Sequence, residues 1–273
     1  MNRIAAIFAL VYIILVPHTS EAEGLRIHFI DVGEGDAILL EWRGKKPAWA
    51  LVDTGNPISG HKTLQYMQKK GVNRLEAIII THPHMDHAGG LFQIAQSLPP
   101  AALYDNGETP WDDGDKNNFY RWYADFVHAF PGYRKLHAGD SIPLGDASLD
   151  ILWPPENRFE HEYLNTRSIV IMVKHGEFKA LLAGDLINPA EQALVTSGVD
   201  LSADILKAGH HGAEDACGEE FLAKVDPAMV VISVNRNNLN GYPSPGVIER
   251  IKAIGAKVFR TDLRGDIVID GDE

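Results

Sequence analysis

The chain has 273 residues, of which 45% are hydrophobic and 23% are charged, and its formal net charge is −12. This length and composition are ordinary for a globular protein with a substantial core and are compatible with one large domain. The acidic balance repels nucleic acid and anionic lipid at long range, which argues against tight, extended binding of DNA. It does not exclude a phosphate substrate, because bound divalent cations would dominate the local charge.

The chain contains a single cysteine, Cys217, so an intramolecular disulfide is excluded. Lipidation is not expected, because Cys217 lies far from the N-terminal segment. We expect this side chain to be a solvated or partly buried bystander.

The first 22 residues have the composition of a secretory signal peptide. Asn2 and Arg3 precede an apolar run from Ile4 to Val16, and a short polar stretch ends at Ala22. An apolar centre of about 13 residues between a charged start and small residues is typical of such a peptide. It is short for a bilayer span, and an uncleaved anchor is the alternative. We predict cleavage after Ala22, a mature domain over 23–273, and a periplasmic or secreted location without stable membrane association.

Apolar alternation and short apolar runs bounded by Gly, Pro and Asp predict the order of the elements. The first half is predicted to contain strands near 25–31, 36–42 and 47–52, a helix near 61–70, a strand over 75–80, a helix between Gly89 and Pro99, a strand near 101–104 and a helix near 117–129. The second half is predicted to contain strands near 148–153, 168–174 and 178–184, a helix near 188–197, a strand near 203–208, a helix, a strand over 229–234, a helix over 245–254 and two final strands.

Each half therefore consists of strands followed by alternating helices and strands. This order favours two mixed sheets packed face to face with helices outside, a four-layer sandwich whose halves are related by a weak duplication. Periodicity alone supports only an α/β or α+β class. No linker rich in Pro, Gly or Ser divides the halves, so we expect one domain.

Four potential metal ligands directly follow the predicted strand over 75–80, namely His82, His84, Asp86 and His87. Alternate residues of an extended turn point the same way, so His82 and His84 can bind one ion while Asp86 and His87 reach a second. Imidazole combined with carboxylate suits Zn²⁺, and also Mn²⁺ or Fe. Four such groups would be costly to desolvate together without a cation. The segment therefore predicts two divalent metal ions, with zinc favoured.

Other predicted strands end in residues that can complete such a site. Asp185 follows an apolar strand and is a candidate bridge, since a carboxylate shared by two cations holds them about 3.5–4 Å apart. His210 and His211 follow the strand near 203–208 and are flanked by glycines, which allow a sharp backbone turn. Asp53 ends a strand in the first half. It either caps a turn or orients a ligand histidine as a hydrogen-bond acceptor.

The His-x-His-x-Asp-His run after an apolar strand resembles the signature of metallo-β-lactamase-fold hydrolases. The chain is further similar to the soluble C-terminal domain of the ComEC-type competence proteins and their stand-alone relatives. The segments that carry this resemblance are Phe29–Ala37, Val52–Gly55, Thr81–His87, Asn165–Ser168, Leu182–Asp185, Lys207–Gly212 and Val231–Val234. It covers roughly residues 25–270, which is nearly the whole predicted mature chain.

The resemblance implies an αββα metallo-β-lactamase sandwich with a dinuclear metal centre between the sheets. It implies that the first metal is bound by His82 and His84, the second by Asp86 and His87, and both by Asp185. It also implies a ligand from the pair at 210–211. We expect His210 to be that ligand and His211 to be a further ligand or an oxyanion partner.

Three positions depart from the family pattern. Many members carry a further histidine ligand where this chain has Asn165, with His161 nearby, so either residue or a water is expected to complete the first metal. Tyr242 stands where close relatives often carry histidine, and a phenol does not readily replace a neutral imidazole. Glu214 to Cys217 replace a loop rich in Ser and Thr, which removes hydroxyl contacts to phosphate.

Several residues are candidates for catalysis or substrate contact. Asp86 is expected to orient the attacking water or to take its proton, with His211 as a catalytic partner. Lys207 is a candidate to steady an anionic substrate oxygen, and a partly exposed strand-end lysine is the alternative. Asp31 and Asn165 are expected to orient ligands or to contact substrate.

The loop between Tyr104 and Tyr123 is expected to form a substrate wall. Its aromatic side chains can stack on a base, a sugar or a choline-like group, and Trp111 is the best candidate. For Phe119, Trp122 and Tyr123 the alternative is packing of a helix against the sandwich.

Three functions remain open from the sequence. The first is hydrolysis of a phosphodiester outside the cytoplasm, with nucleic acid included but disfavoured by the net charge. The second is hydrolysis of an amide or lactone, including a β-lactam. The third is a metal-stabilised binding protein without turnover, which the departure at Tyr242 would suit. The expected partner is a small-molecule or phosphodiester substrate, and the oligomeric state is not indicated.

Overall fold

The structure is a computed structural model that describes residues 23–108, 118–157 and 163–271. The predicted signal peptide, Trp111 and His161 lie outside these ranges. None of the helices in the described ranges has both the length and the apolar character that a membrane crossing requires.

Two seven-stranded sheets organise the described part of the chain. The first sheet contains β1 (Leu25–Phe29), β2 (Ile38–Trp42), β3 (Ala48–Val52), β4 (Leu75–Ile79), β5 (Pro100–Asp105) and β6 (Tyr133–Lys135). The second contains β7 (Ser141–Leu144), β8 (Ala147–Trp153), β9 (Val170–His175), β10 (Phe178–Leu182), β11 (Ile205–Lys207), β12 (Met229–Ile232) and β13 (Lys257–Arg260). The last strand, β14 (Ile267–Asp270), returns to the first sheet and pairs with β1.

Both sheets follow the same plan. In the first, β1 to β3 pair antiparallel and β3 to β6 pair parallel. In the second, β7 to β10 pair antiparallel and β10 to β13 pair parallel. This shared order is the topology expected from two related halves.

Helices cover the outer faces of the sheets. They are α1 (Gly60–Lys69), α2 (Met85–Ala88), α3 (Leu91–Ser97), α4 (Asn118–Ala129), α5 (Ala190–Thr196), α6 (Glu219–Val225), α7 (Pro245–Ala253) and α8 (Thr261–Arg264). Two 3-10 turns, Leu164–Arg167 and Gly209–Gly212, follow β8 and β11. Ser244 begins α7 by accepting a hydrogen bond from the backbone N–H of Val247, and Pro245 occupies the first turn.

Three apolar clusters hold the layers together, because successive side chains of a strand point to opposite faces. In β1, Leu25, Ile27 and Phe29 enter the cluster between the two sheets. A second cluster joins the outer face of the second sheet to α5, α6 and α7. A third joins the outer face of the first sheet to α1, α3 and α4. The predicted four-layer αββα sandwich is confirmed.

Two strands were not predicted, and both lie at the edge of a sheet. β6 has three residues, of which Arg134 and Lys135 are exposed, and β7 contains Pro143 with alternate residues exposed. Edge strands are often short, charged or interrupted by proline, since one side forms no ladder. With three and four residues, these two strands are too short for an apolar period to be recognised in the sequence.

The expectation that Cys217 is solvated or only partly buried is wrong. Cys217 is completely buried in the cluster between the second sheet and its helices. Burial raises the pKa of its thiol to about 12. The side chain is therefore a small apolar core residue.

A carboxyl group lies in the same layer. Glu191, at the start of α5, accepts hydrogen bonds from the backbone N–H groups of Cys217 (2.7 Å) and Gly218 (2.9 Å). Burial raises the pKa of Glu191 to about 7, against the opposing effect of these two donors and Arg250. The folded protein therefore binds a proton at Glu191 more tightly than the unfolded chain does.

This raised pKa predicts a pH-dependent stability. Glu191 contributes stability fully below pH 4.5, its unfolded value, and the contribution is lost as pH rises through about 7. One pKa unit corresponds to about 1.4 kcal/mol. As pH rises from 4.5 to 8, the free energy of unfolding of Glu191→Gln should therefore increase by about 3 kcal/mol relative to that of the unaltered protein. Urea denaturation of the protein in chelator measures this difference. The exposed Glu219→Gln should show no such gain, and parallel pH profiles for Glu191→Gln and the unaltered protein would refute the assignment.

Candidate metal centre

The candidate ligands lie where strands of both sheets end. The segment from Thr81 to His87 follows β4, Asp185 follows β10 and His211 follows β11. The carboxyl ends of neighbouring parallel strands meet at one edge of a sheet, where ligands commonly bind in α/β proteins. The packing of two such sheets brings residues from both halves of the chain to a common site.

Three groups of possible ligand atoms occur in the described ranges. Two of them share Asp185, and the third consists of Asp36, Asp53 and His87. The first cluster consists of His82, His84 and Asp185, and the second of Asp86, His87, Asp185 and His211. Within each cluster the ligand atoms lie within 4.8 Å of one another. Asp185 belongs to both, which is the arrangement expected of a bridging carboxylate.

In the second cluster, imidazole nitrogens face carboxylate oxygens. Nε2 of His87 lies 3.1 Å from Oδ2 of Asp185. Nε2 of His211 lies 3.3 Å from Oδ2 of Asp86 and 3.5 Å from Oδ1 of Asp185. Four side chains thus direct ligand atoms toward one point.

The first cluster has fewer protein groups. Nε2 of His82 lies 2.9 Å from Nδ1 of His84 and 3.8 Å from Oδ2 of Asp185. Asn165 is buried in the nearby 3-10 turn, and its Oδ1 has no hydrogen-bond partner among the described residues. Ser168, at the end of that turn, accepts a hydrogen bond from the backbone N–H of Asp185 (3.2 Å). The turn therefore packs against Asp185 and contains an amide oxygen, Oδ1 of Asn165, that is free to bind another group.

The opposite ring nitrogens determine the histidine tautomers. Nδ1 of His87 donates to Oδ2 of Asp53 (2.8 Å), and Nδ1 of His211 donates to the carbonyl of Ser233 (2.9 Å). Thr81 donates its hydroxyl proton to Asp53 (2.8 Å), so it accepts from Nδ1 of His82 (3.1 Å). In all three rings the proton is therefore on Nδ1, and Nε2 carries the lone pair that binding to a metal requires.

Asp53 is the centre of this supporting network. It is buried, has a φ of 58°, and also accepts a hydrogen bond from the backbone N–H of Thr81 (2.7 Å). One carboxylate therefore orients His87 directly and His82 through Thr81. The structure places Asp53 as the acceptor behind a ligand histidine rather than as a simple turn cap.

Burial and neighbouring charges shift the pKa values of the ligands in opposite directions. Burial lowers the pKa of His82 and of His84 below the usual range for histidine. For His87, burial is outweighed by three carboxylates, chiefly that of Asp185, and the pKa is raised well above its usual range. Burial also opposes ionisation of Asp185, but His211 and His87 hold its pKa well below the usual range. The three carboxylates around His87 therefore favour positive charge at this point of the site.

The ligand set fits divalent metal ions. Nε2 of His87, Nε2 of His211 and Oδ1 of Asp185 are buried and have no hydrogen-bond partner within the described residues. Buried polar atoms of this kind are costly unless something binds them. Imidazole and carboxylate donors together suit Zn²⁺, Mn²⁺ or Fe.

One contributing residue, Asp36, was not singled out from the sequence. It is buried, and its backbone N–H donates to the carbonyl of Asp86 (3.3 Å). Gly35 permits this approach, since its φ is 100° and a Cβ there would lie 1.8 Å from the Asp86 carbonyl oxygen. The pair of glycines at 33 and 35 beside an aspartate was the available signal.

The expectation that His210 is the ligand is wrong. Its side chain is 22% exposed, and Nδ1 lies 3.3 Å from Asp215 rather than in either cluster. Both His210 and His211 have positive φ, 43° and 54°. This tight turn directs the two adjacent side chains apart, and His211 is the one that faces inward.

Two further expectations are corrected. Lys207 does not contact substrate, because it is completely buried and its ammonium group lies against Asp36 and two backbone carbonyls. Asp31 lies in the loop after β1, where its carboxylate accepts from the backbone N–H of Gly33 (3.2 Å) and its own N–H donates to Asp266 (2.9 Å). It belongs to neither ligand cluster.

Tyr242 packs against the histidine that precedes His211 in the chain. The ring of Tyr242 lies 5.4 Å from that of His210. Burial and the nearby carboxylates, among them Asp185 and Asp86, raise the pKa of Tyr242. Tyr242 therefore lies near His210 and, like it, belongs to neither ligand cluster.

The aromatic residues of the predicted substrate wall divide into two groups. Trp111 lies outside the described residues. Tyr123 is buried and donates to Asp105 (2.9 Å), Phe119 stacks on Tyr123 with 6.2 Å between ring centroids, and Trp122 stacks on Phe126. These rings pack α4 against the first sheet, as the alternative expectation had it.

Comparison with known proteins agrees with this geometry. A family model described as the metallo-beta-lactamase superfamily matches residues 30–233. The chain is 26% identical to ComE operon protein 3 of Bacillus subtilis, over 91% of this chain and 33% of that protein. It is 29% identical to Recombination protein 2 of Haemophilus influenzae, over 90% of this chain and 29% of that protein. The chain thus spans about a third of the length of these relatives.

Competence protein ComA of Neisseria gonorrhoeae is similar as well, with 28% identity over 86% of this chain and 30% of that protein. The resemblance to ComEC-type competence proteins is therefore confirmed.

Solved structures show the same architecture at low sequence identity. YhfI from Bacillus subtilis, a metallo-beta-lactamase fold protein, superposes with a TM-score of 0.58 at 12% identity, over 91% of this chain and 100% of that one. A diphosphatase from the PhnP family superposes with a TM-score of 0.50 at 13% identity, over 89% of this chain and 97% of that one. At these identities the likeness concerns the fold alone. Together with the family match over most of its length, it shows that the chain belongs to the metallo-β-lactamase superfamily.

Proposed function

We propose that this superfamily hydrolase uses two divalent metal ions to cleave a phosphodiester. The observation that carries the proposal is the pair of ligand clusters that share the carboxylate of Asp185. Mixed imidazole and carboxylate ligands on two adjacent cations suit the hydrolysis of phosphate esters.

The residues divide between the two ions. His82, His84 and Asp185 would hold the first, with Asn165 available beside them, and the second cluster would hold the other. When bound, two divalent cations lower the pKa of a water and neutralise charge that develops on the substrate oxygens. Zinc is the favoured ion, with manganese or iron as alternatives.

Asp86 is the carboxylate best placed to act on the attacking water. Its side chain is 30% exposed, whereas that of Asp185 is 3% exposed, so Asp86 faces the open side of the centre. Burial raises the pKa of Asp86, but His87 and His211 outweigh this effect and hold the pKa below its usual range. An ionised carboxylate at this position can accept a hydrogen bond from water and orient it.

The choice of a phosphodiester draws on the relatives. The name of one relative refers to competence and that of another to recombination, which is a reaction of nucleic acids. The formal charge of −12 weakens binding of a long polyanion, because 37 acidic residues outnumber 25 basic ones and repel it. We therefore propose a short or small phosphodiester rather than an extended duplex.

We also propose that the protein acts outside the cytoplasm, in the periplasm or medium. The charged start, apolar run and small residues before position 23 support this. Fusion of residues 1–22 to alkaline phosphatase, which is active only after export, should give active enzyme. The same fusion with Leu10→Arg, which interrupts the apolar run, should be inactive. Equal activity of the two fusions would argue against an export signal.

The shared carboxylate predicts the metal content of two variants. Asp185→Asn keeps the shape but removes the bridging charge, so both metals should bind at least about tenfold more weakly. His84→Ala should weaken metal binding at the first site only, because His84 belongs to that cluster alone. Elemental analysis after dialysis against a metal buffer measures both changes. The exposed Asp200→Asn serves as the control, and two tightly held metals in Asp185→Asn would contradict a bridging role.

The reaction class is tested with three substrates side by side. With Zn²⁺ or Mn²⁺, the protein should hydrolyse bis-p-nitrophenyl phosphate, and single-stranded DNA more slowly if at all. His84→Ala should lose more than about 100-fold in kcat/KM, beyond the loss caused by an outer hydrogen-bond partner. His61→Ala, on the exposed side of α1, should retain full activity. Turnover of nitrocefin alone would overturn the phosphodiester proposal in favour of amide hydrolysis.

A further inference from the structure

A lysine lies completely buried beneath the metal centre. The ammonium nitrogen of Lys207 lies 2.6 Å from Oδ2 of Asp36, 2.9 Å from the carbonyl oxygen of Ala208 and 3.3 Å from that of Gly184. An ammonium group has three donors and no acceptor, so these three partners use its full capacity. Lys207 is therefore held in one position by contacts that come from three separate loops.

Two of these partners belong to the turns that carry metal ligands from the second half of the chain. Gly184 immediately precedes the bridging Asp185, and Ala208 begins the turn that carries His211. A bond from one ammonium group to both carbonyls ties the two turns together. Their separation determines how the ligand atoms of Asp185 and His211 meet.

The third partner leads to the ligands of the first half. The backbone N–H of Asp36 bonds to the carbonyl of Asp86. Its carboxylate lies 3.9 Å from Nδ1 of His87 and 3.8 Å from Nδ1 of His211. All of these belong to the second cluster. Among the described residues, no ion pair of Asp36 with His82 or His84 occurs, so the contact is directed at one of the two sites.

We propose that Lys207, through Asp36, is a positioning residue for the second metal ion and not for the first. This inference rests on the proposed function, since it presumes that the two clusters bind metal. Lys207 joins the loops that carry Asp86, Asp185 and His211 and so sets the spacing of the second site. The first site shares Asp185 with the second, but its other two ligands, His82 and His84, stand two residues apart on one segment and form no ion pair with Asp36 among the described residues.

Charge and position predict opposite effects of removing the ammonium. A buried positive charge repels a nearby cation, so a role through charge alone means that its loss tightens metal binding. A role in positioning means that its loss loosens binding, because ligands that are no longer held in place bind more weakly. The sign of the change in affinity therefore distinguishes the two roles.

The test uses three variants of the full chain. Lys207→Met has a similar length but no charge or donor, and Asp36→Asn keeps the shape of its side chain. Lys179→Met is the matched control, because Lys179 forms a comparable ion pair with Asp200 (3.0 Å) on the surface. Zn²⁺ titration against a chelator gives the two dissociation constants. His84→Ala and His211→Ala assign them to the first and second site.

Lys207→Met and Asp36→Asn should each weaken the second site by at least about tenfold, with the first site within about twofold of the unaltered protein. Lys179→Met should change neither constant. A tighter or unchanged second site in Lys207→Met overturns the inference, and so does an equal loss at both sites. If circular dichroism shows that Lys207→Met does not fold, Asp36→Asn decides by the same criteria. Absence of metal binding in the unaltered protein would instead contradict the proposed function.

Discussion

The bridging carboxylate of Asp185 is the constraint around which the rest of the site is organised. It is almost fully buried, and three imidazoles lie within 4 Å of its oxygens. An ionised carboxylate in such a place is costly unless positive charge balances it. A divalent cation bound between these groups would provide that balance. The Nδ1 partners of His82, His87 and His211 leave Nε2 of each ring free to face a bound cation, so the ligand atoms are already oriented for it.

The site depends on both sheets at once. Asp53 and the segment after β4 come from the first sheet, whereas Asp185, His211 and the carbonyl of Ser233 come from the second. The apolar cluster between the sheets thus holds ligands that are far apart in the chain. Because the ligands converge only in the folded protein, metal binding and folding are expected to stabilise each other.

Much of the fold follows from local patterns. Alternation in β1 separates inward Leu25, Ile27 and Phe29 from outward His28, which contacts Tyr66 and Glu41. Long apolar strands were therefore predictable in position and order. β6 and β7 were not, because three or four residues are too few to show a period, and β7 also contains a proline. The layer arrangement was predictable from the repeated order of strands and helices, and the family resemblance agreed with it.

The sequence alone was enough to predict the candidate ligands that lie within one turn. His82, His84, Asp86 and His87 are close in the chain, so their spacing alone predicts two neighbouring metal ions. The tertiary structure decided the rest. Two consecutive residues with positive φ turn His211 inward and His210 outward, and no spacing rule orders them. The contact of Lys207 with Asp36 joins residues from opposite halves of the chain, and only the packing of the two sheets brings them together.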